Sequence, residues 1–568
     1  MDCSIMTLNP HLKFFFTLSN IDRNKTLRII VFSLLYISGE SIIPFIIREL
    51  IRSIEKKALL FLFLLSILIL LVYSLIRAFW GLSDYEVSRF KIGVKGYFRK
   101  KIYEKLTQLS ISDFNKFSKG ELISRATSDI DIIGENSPLL PALFCAFLEL
   151  IVLCFVLIKL NLFLALITIF TFPLYSIFEK KYKPKLEKES EKEREKSGSI
   201  VESIRETLEG VLTINIFNSQ RYFIRIFDEK VKEWEKTAVK KMRYFYTYWG
   251  ITSYMEYTLP VIILGVGSIM ANMKLIDIPT LIAIFFLVGR VYIPVWNLNF
   301  LITTIPAAYP SVRRILEIIN YKIDTRSEIS FIPSSSKKIK FENVTFSYNG
   351  IENVLENLTL EIPLGKWTAI VGPTGSGKST IFYILLGLYK PQKGNIYIED
   401  EELFQCNSDE IRKKILYVAN KDFIFNGSIL QNLTLGETYS ESEIKKIAEI
   451  TMISEFTRDL EIDAKELSDG QKQRIALARA LLRSPKILML DEAMAPVDTK
   501  IEEIIFSQIK YYFPSLTVII ASHRLSTILM VDKIAVLKDG KIEAIGSHSE
   551  LFKNCNYYKE LIENQVIR

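Results

Sequence analysis

Residues Trp367–Tyr389 have the sequence WTAIVGPTGSGKSTIFYILLGLY, in which a β-rich apolar run, a glycine-rich loop and a second apolar segment follow one another. The loop, Gly372–Ser379, fits the pattern G-x-x-x-x-G-K-[ST]. Its glycines permit backbone conformations that point amide hydrogens at phosphate, Lys378 adds positive charge, and Ser379 supplies a hydroxyl to Mg²⁺. The strand, loop and helix order predicts a phosphate-binding α/β domain.

Two further apolar runs end in residues suited to hydrolysis. Ile487–Leu490 is predicted to be a buried strand that carries Asp491 and Glu492 at its end. Asp491 suits a metal-linked carboxylate, and Glu492 suits a base that polarises the attacking water. Leu516–Ile520 is a second predicted buried strand and ends near His523, which could contact a γ-phosphate. Short β-rich runs alternating with helical stretches from Ile339 onward are typical of an α/β fold.

Long uncharged apolar segments fill the first 320 residues of the 568-residue chain. Hydrophobic residues make up 49% of the sequence, and the mean hydropathy is +0.21, which is high for a soluble protein. Nineteen helical residues rise about 28 Å, close to the hydrocarbon thickness of a bilayer. Six segments are therefore predicted to span a membrane: Ile29–Ile47, Ala58–Ile76, Pro138–Ile158, Leu160–Phe178, Tyr244–Met273 and Ile278–Ile305. A cleaved signal peptide is a poor alternative for the first, which is long and carries Glu40.

Two polar stretches, Arg77–Asn136 and Glu179–Arg243, separate the predicted spans into pairs. They are rich in helix formers with opposite charges at helical spacing, so we expect them to extend the membrane helices into water. An even number of spans places both termini on the side of the C-terminal domain. The short outer link contains Arg48, Arg52, Lys56 and Lys57, which runs against the usual excess of Lys and Arg in cytoplasmic loops. The assignment of that side to the cytoplasm therefore rests on access to ATP and not on loop charge.

The net charge of +8 is diffuse and suits contact with an anionic membrane leaflet better than nucleic acid, so no nucleic-acid partner is expected. The five cysteines are scattered without metal-type spacing and are interpreted as reduced or buried thiols. Glu40, Glu149, Glu256 and Arg290 are each the one charge in a predicted span. Because a charge facing lipid is costly, some of them are predicted to line a transport cavity or to pair there.

The stretch Leu467–Glu492, LSDGQKQRIALARALLRSPKILMLDE, nearly matches the signature helix of an ATP-binding cassette, followed by the acidic-tipped strand. With six predicted spans upstream, the chain resembles a half-transporter of the ATP-binding cassette (ABC) exporters. Ser112–Asp129 is similar to the family's first coupling region, and Ala308–Ile315 to the segment after its last span. The resemblance implies an α-helical polytopic membrane domain at 1–320, a linker at 321–338 and an α/β P-loop NTPase cassette at 339–568.

The resemblance also implies a dimer in which two cassettes enclose two ATP molecules, each between one chain's phosphate loop and the other chain's signature. Glu492 and His523 are then catalytic, and Tyr348 stacks on adenine. The implied Mg²⁺ ligands are Ser379, Asn420 and Asp491. The remaining implied nucleotide contacts are the loop residues Gly372, Pro373, Thr374, Gly375, Ser376, Gly377, Lys378 and Thr380, together with Asp498 and, toward the partner's nucleotide, Ser468, Asp469, Gly470 and Gln471.

Four departures from the family pattern limit this transfer. Asn420 stands where a longer glutamine is usual, so its reach is in doubt. The stretch between Phe456 and Leu467 is short and lacks a glycine-containing loop that couples cassettes to membrane helices. Ala495–Asp498 introduces a proline after the catalytic strand. Asp469 replaces a glycine beside backbone amides expected to meet a γ-phosphate.

A carboxylate about 4 Å from that phosphate costs about 1 kcal/mol in water and about 4 kcal/mol at an effective dielectric of 20. A homodimer would carry this penalty at both ATP sites, so the sequence favours a heterodimer with a second half-transporter; a homodimer, or an Asp469 that points into solvent, is the alternative. The predicted function is an ATP-driven exporter or flippase in a bacterial plasma membrane, with a drug, lipid or peptide as cargo. An ATP-binding regulator or gated channel subunit is the competing class.

Overall fold

The computed structural model of the chain describes residues 22–55, 59–109, 111–321, 337–406 and 408–566, together with residues 14, 17, 18 and 20. The chain divides into two compact units. One contains Met1–Thr107 and Ser118–Tyr321, and the other contains Gln108–Phe117 and Lys322–Arg568. Most of the predicted linker, 321–338, lies outside the described residues, and the predicted domain boundaries stay a prediction.

The first unit is helical. Its described helices are α1 Arg23–Glu55, α2 Leu59–Gln108, α4 Lys119–Ser124, α5 Ile130–Asn136, α6 Leu139–Leu160, α7 Leu162–Glu209, α8 Val211–Ile216, α9 Gln220–Asn272 and α10 Ile278–Ile319, while α3 Ile111–Phe114 belongs to the second unit. A π-helical turn at Arg125–Asp129 joins α4 to α5. The two polar stretches predicted to extend the membrane helices are largely helical, which confirms that expectation.

Five helices within the described residues are long and apolar enough to cross a membrane. The fourth predicted span, Leu160–Phe178, corresponds to a shorter apolar helical stretch, Leu162–Leu174, at the start of α7. The other five predicted spans fall on helices that meet the criterion, and the count of six stays a prediction. Large apolar side chains such as Leu70 and Phe170 are exposed on these helices, as a lipid environment requires.

One pair of charged residues in the predicted spans is joined. Arg290 on α10 donates through Nη1 to the carboxylate of Glu40 on α1 and through Nη2 to the Tyr36 hydroxyl at 3.0 Å. Glu40 is buried. The prediction that membrane charges pair is therefore confirmed for these two, whereas Glu149 and Glu256 form no ion pair within the described residues.

The polar parts of α7 and α9 run side by side with a ladder of charges between them. Lys240 Nζ lies 3.1 Å from Glu189 Oε1, and Lys241 Nζ lies 3.1 Å from Glu193 Oε2. The hydrogen bond from Lys240 lowers the pKa of Glu189, and hydrogen bonds from Trp234 and then Lys241 lower that of Glu193. Both carboxylates are thus charged partners of these lysines, and the pairs hold the helices in register.

The second unit contains two sheets among the described residues. Its strands are β1 Lys338–Phe346, β2 Leu355–Pro363, β3 Trp367–Val371, β4 Lys393–Ile398, β5 Glu401–Glu402, β6 Ile415–Val418, β7 Ile487–Asp491, β8 Thr517–Ala521, β9 Lys533–Lys538 and β10 Lys541–Gly546. A four-stranded antiparallel sheet has the order β2-β1-β4-β5, and a six-stranded sheet has the order β10-β9-β3-β8-β7-β6. In the larger sheet β10 alone is antiparallel.

Besides α3, the helices of this unit within the described residues are α11 Lys378–Leu385, α12 Ser408–Lys414, α13 Ile429–Thr434, α14 Glu441–Ile450, α15 Asp469–Leu482, α16 Thr499–Tyr512, α17 Leu525–Leu529, α18 His548–Asn554 and α19 Asn556–Val566. Every residue of β3, β7 and β8 is buried, as expected for parallel strands covered on both faces. The β7–β8 register pairs Asp491 with Ala521, so the loops after these strands emerge at one edge. This edge positions the site.

Candidate ATP-binding and hydrolysis site

A cleft of about 580 Å³ opens at the carboxyl edge of the parallel strands. Ligands of open α/β sheets bind at this edge because the loops converge there. Of the predicted site residues, those that line the cleft are Tyr348, Thr374, Gly375, Gly377, Lys378, Ser379, Thr380, Asn420, Asp491 and Glu492. The structure therefore brings together, in one cleft, residues that are up to 144 positions apart in the sequence (348 to 492).

The glycine-rich loop wraps around the start of α11. Gly375 and Gly377 have φ angles of +84° and +103°, a region that favours glycine. A Cβ on Gly377 would also lie 2.8 Å from the Leu355 side chain. The Nζ of Lys378 donates to the backbone oxygens of Gly372 at 2.8 Å and Pro373 at 2.9 Å, so the loop itself holds the ammonium group.

Burial lowers the pKa of Lys378, and the nearby carboxylates of Glu492 and Asp491 oppose that effect. The cleft therefore combines one half-buried cation with two acids. Ser376, in the same loop, is buried, and its hydroxyl has no hydrogen-bond partner among the described residues. A buried hydroxyl without a partner is costly, and a phosphate oxygen is an acceptor that would satisfy it.

The two acids at the end of β7 are held differently. Asp491 is buried and accepts a hydrogen bond from the Tyr417 hydroxyl at 3.1 Å through Oδ2. Glu492 has a φ of +49°, which is uncommon for a residue with a side chain, and its amide donates to Ala521 O at 2.9 Å. The left-handed backbone turns the chain sharply, so the neighbouring carboxylates differ in burial.

His523 follows β8 and meets Glu492 across the strand ends. Its Nδ1 lies 3.4 Å from Glu492 Oε1, and the histidine side chain is 60% exposed. The ring is thus free to reach a ligand, as a residue that contacts a γ-phosphate must be. Half-exposed Tyr348 also lines the cleft, and its hydroxyl lies 3.1 Å from Thr380 Oγ1.

Tyr348 is supported by a second aromatic ring. The ring of Tyr389 lies edge-on to that of Tyr348, with their centroids 5.2 Å apart. The Tyr389 hydroxyl accepts a hydrogen bond at 2.9 Å from Asn115, just after α3 in the segment Gln108–Phe117 of the same unit. The segment Gln108–Phe117 is therefore one ring away from the predicted adenine contact.

The signature residues lie outside the cleft. Ser468 caps α15, because Gln471 N donates to its hydroxyl at 3.3 Å and Ser468 N donates to Gln471 Oε1 at 2.9 Å. Asp469 is the first residue of the helix and is exposed. Asp498 similarly caps α16, its Oδ1 accepting from Lys500 N at 2.9 Å. Separation of the signature from the chain's own cleft agrees with a contribution to a nucleotide on another chain.

The sequence patterns did not identify three contributors to this edge: Tyr417, Arg524 and Glu502. Tyr417 could have been identified from the sequence, because it lies in a strand only three positions before the predicted site residue Asn420. Arg524 directly follows His523, and its side chain binds the buried Glu502 on α16 at 2.6 Å. A charged residue inside an amphipathic helix carries no pattern that distinguishes a buried partner from a solvated face.

Comparison with known proteins agrees with the geometry. The ABC transporter family matches residues 355–495, and the ABC transporter transmembrane region matches residues 26–292. The chain is 32% identical over 545 residues to an "export ATP-binding/permease protein" of Rickettsia felis, covering 91% of this chain and 90% of the relative. The chain belongs to the ABC transporters. One chain thus carries one membrane domain and one nucleotide-binding domain, the composition of a half-transporter.

Two further proteins are similar to this chain over most of its length. It is 28% identical over 535 residues to an "ATP-dependent lipid A-core flippase" of Desulfotalea psychrophila, covering 92% of this chain and 93% of the relative. A bacterial Atm1-family ABC exporter solved with ATP bound has the same fold, with a TM-score of 0.80, 22% identity and coverage of 96% of this chain and 99% of the other. The chain is an exporter-type ABC protein that binds ATP and couples its hydrolysis to transport.

Proposed function

We propose that the transporter moves an amphipathic or hydrophobic compound, such as a drug, lipid or peptide, across the plasma membrane by alternating access. The observation that carries the energy-coupling half of this proposal is the cleft in which Lys378, Asp491 and Glu492 meet. In the proposed cycle ATP closes the cassettes and hydrolysis resets them. The similarity to a lipid A-core flippase supports an amphipathic cargo.

Each site residue has a proposed role. Tyr348 stacks on the adenine, and the Gly372–Thr380 segment holds the phosphates through backbone amides and Lys378. Glu492 orients the attacking water and accepts its proton, because a carboxylate can do both. His523, free at its outer face, contacts the γ-phosphate.

Mg²⁺ fits the donors present, since the proposed ligands are all oxygen donors and this ion prefers one or two protein oxygens plus phosphates. Ser379 and Asp491 would hold it, with Asn420 on the same cleft wall. When bound, the ion neutralises charge on the phosphates. Tyr417 keeps one Asp491 oxygen in place and leaves the other for the ion.

Transport is tested in proteoliposomes loaded with a fluorescent amphiphile. We expect steady ATPase activity and uphill movement of the probe, both lost in Glu492→Gln. Glu503→Gln, which changes an exposed carboxylate on α16, is the matched control and should keep both. Passive movement of the probe with nucleotide bound but not hydrolysed would instead indicate a gated channel.

We also propose that this chain pairs with a different half-transporter. Asp469 lies at the exposed tip of α15, where the signature would meet the nucleotide of the partner, and a homodimer would place this carboxylate at both sites. A partner with an intact signature and a weaker catalytic glutamate would leave one site fully active. Purification of this chain alone is the test: robust ATPase from the homodimer contradicts the proposal, and activity that requires a second half-transporter supports it.

A further inference from the structure

The Arg524 side chain donates three hydrogen bonds beside the catalytic pair. Its Nη1 donates to Val497 O at 3.0 Å and to Glu502 Oε2 at 2.6 Å, and its Nη2 donates to Ala495 O at 2.5 Å. Two of these acceptors are backbone carbonyls of the loop that follows Glu492. A planar guanidinium presents its donors in a fixed fork, so this pattern fixes the loop relative to the end of β8.

Glu502 fixes the arginine in turn. The glutamate is 2% exposed, and its second oxygen, Oε1, accepts from the Thr527 hydroxyl at 2.5 Å. Its amide donates to Asp498 O at 2.9 Å, at the end of the same loop. A buried carboxylate must be paired, so Arg524 cannot leave Glu502 without a large penalty. The contact with Glu502 therefore holds the guanidinium of Arg524 in place.

The carbonyl oxygen of Pro496, between the Ala495 and Val497 carbonyls that Arg524 binds, faces the signature. A Cβ added to Gly470 would lie 2.8 Å from Pro496 O, so the start of α15 touches the loop with no room for a side chain. The loop Ala495–Val497 thus lies between Arg524 on one side and the signature tip on the other. The same loop therefore contacts both the segment that carries His523, in the chain's own ATP site, and the signature, which is proposed to complete the ATP site of the partner chain.

We propose that Arg524 is a positioning residue for ATP hydrolysis. It ties the loop Ala495–Val497 to the segment that carries His523, so that the Glu492–His523 pair and the signature tip hold one relative geometry. The inference rests on the proposed roles of Glu492, His523 and the signature. Arg524 itself is not among the residues that line the cleft.

The test uses Arg524→Lys in the assembled transporter in nanodiscs. Lysine keeps the charge next to Glu502, but a single ammonium group cannot span both carbonyls. ATP bound per transporter is measured first, and the turnover number is expressed per bound ATP, which removes any loss of folded protein. We expect this turnover number to fall about tenfold with the KM for ATP within about twofold of the native value, because the phosphate loop is untouched.

Arg474→Lys is the control. Arg474 is a buried arginine of α15 that binds Met452 O at 3.0 Å and Glu455 Oε2 at 2.8 Å, and neither acceptor belongs to the loop. It should change the normalised turnover less than about twofold. An Arg524→Lys turnover within twofold of native, or an equal fall in Arg474→Lys, overturns the inference. Loss of turnover in Glu492→Gln together with a silent Arg524→Lys refutes this inference alone, whereas persistent turnover in Glu492→Gln refutes the catalytic assignment.

Discussion

Removal of the Asp469 charge should strengthen ATP binding at the site that this signature completes. Asp469 is exposed, so the water-like value of the Coulomb cost applies, about 1 kcal/mol for a charge about 4 Å from the γ-phosphate. That free energy corresponds to an affinity gain of about fivefold in Asp469→Asn. Asparagine keeps the side-chain volume, so the gain measures charge alone. Asp469→Gly should give a similar gain in affinity, and it also removes the side chain that could hinder contact between the signature and the nucleotide.

The same charge has a local benefit, because a carboxylate in the first turn of a helix interacts favourably with its dipole by about 0.3–1 kcal/mol. Glu441 provides a matched control: it is the first residue of α14, is exposed, and follows the capping Ser440 as Asp469 follows Ser468. Glu441→Gln should lower thermal stability slightly, as Asp469→Asn does, without changing nucleotide affinity.

The assay is equilibrium titration of the assembled transporter in nanodiscs with a fluorescent ATP analogue, at low and at high salt. Exposed charges are screened by salt, so the difference between native and Asp469→Asn should shrink at high salt. If Asp469→Asn binds nucleotide as the native chain does at low salt, Asp469 imposes no electrostatic penalty and a homodimer would lose nothing by carrying it at both sites.

Glu492→Gln should keep ATP binding and lose most hydrolysis, because an amide cannot accept the proton of the attacking water; an unchanged ATPase rate would remove Glu492 from the mechanism. Tyr417→Phe removes the donor to Asp491 and should raise the Mg²⁺ concentration for half-maximal ATPase by about tenfold, whereas an unchanged Mg²⁺ dependence would show that the hydrogen bond does not orient Asp491. Glu40→Gln should lower stability by about 3–5 kcal/mol by leaving Arg290 unpaired, and Glu40→Gln with Arg290→Met should recover much of that loss in thermal unfolding; equal losses in the single and double variants would contradict the pairing.

The sequence predicted the cassette well because its elements are local. The segment Gly372–Ser379 directly follows a buried strand and runs into the first turn of a helix, and Asp491 ends a strand of continuous apolar residues. Such patterns need no knowledge of long-range contacts. The helical continuation of the polar stretches between spans followed from composition in the same way.

Contacts between distant segments could not be predicted. Nothing in the sequence near Arg524 indicates that it binds carbonyls of Ala495 and Val497, because backbone acceptors leave no residue-type signal. The pairing of Glu40 with Arg290 depends on the packing of α1 against α10, 250 positions apart. Periodicity fixes which residues share a helix face but not which helix that face meets.

The length of α2 has a mechanical consequence. This helix runs without interruption for 50 residues and contains no proline, whereas α1, α7 and α9 each contain proline inside the helix. At about 1.5 Å per residue it is a rod of about 75 Å, so a tilt of about 5° displaces one end by about 6–7 Å relative to the other. Proline normally absorbs such a tilt as a local bend. Because α2 contains no proline at which to bend, a tilt of about 5° at one end should move the other end by nearly the full distance of about 6–7 Å.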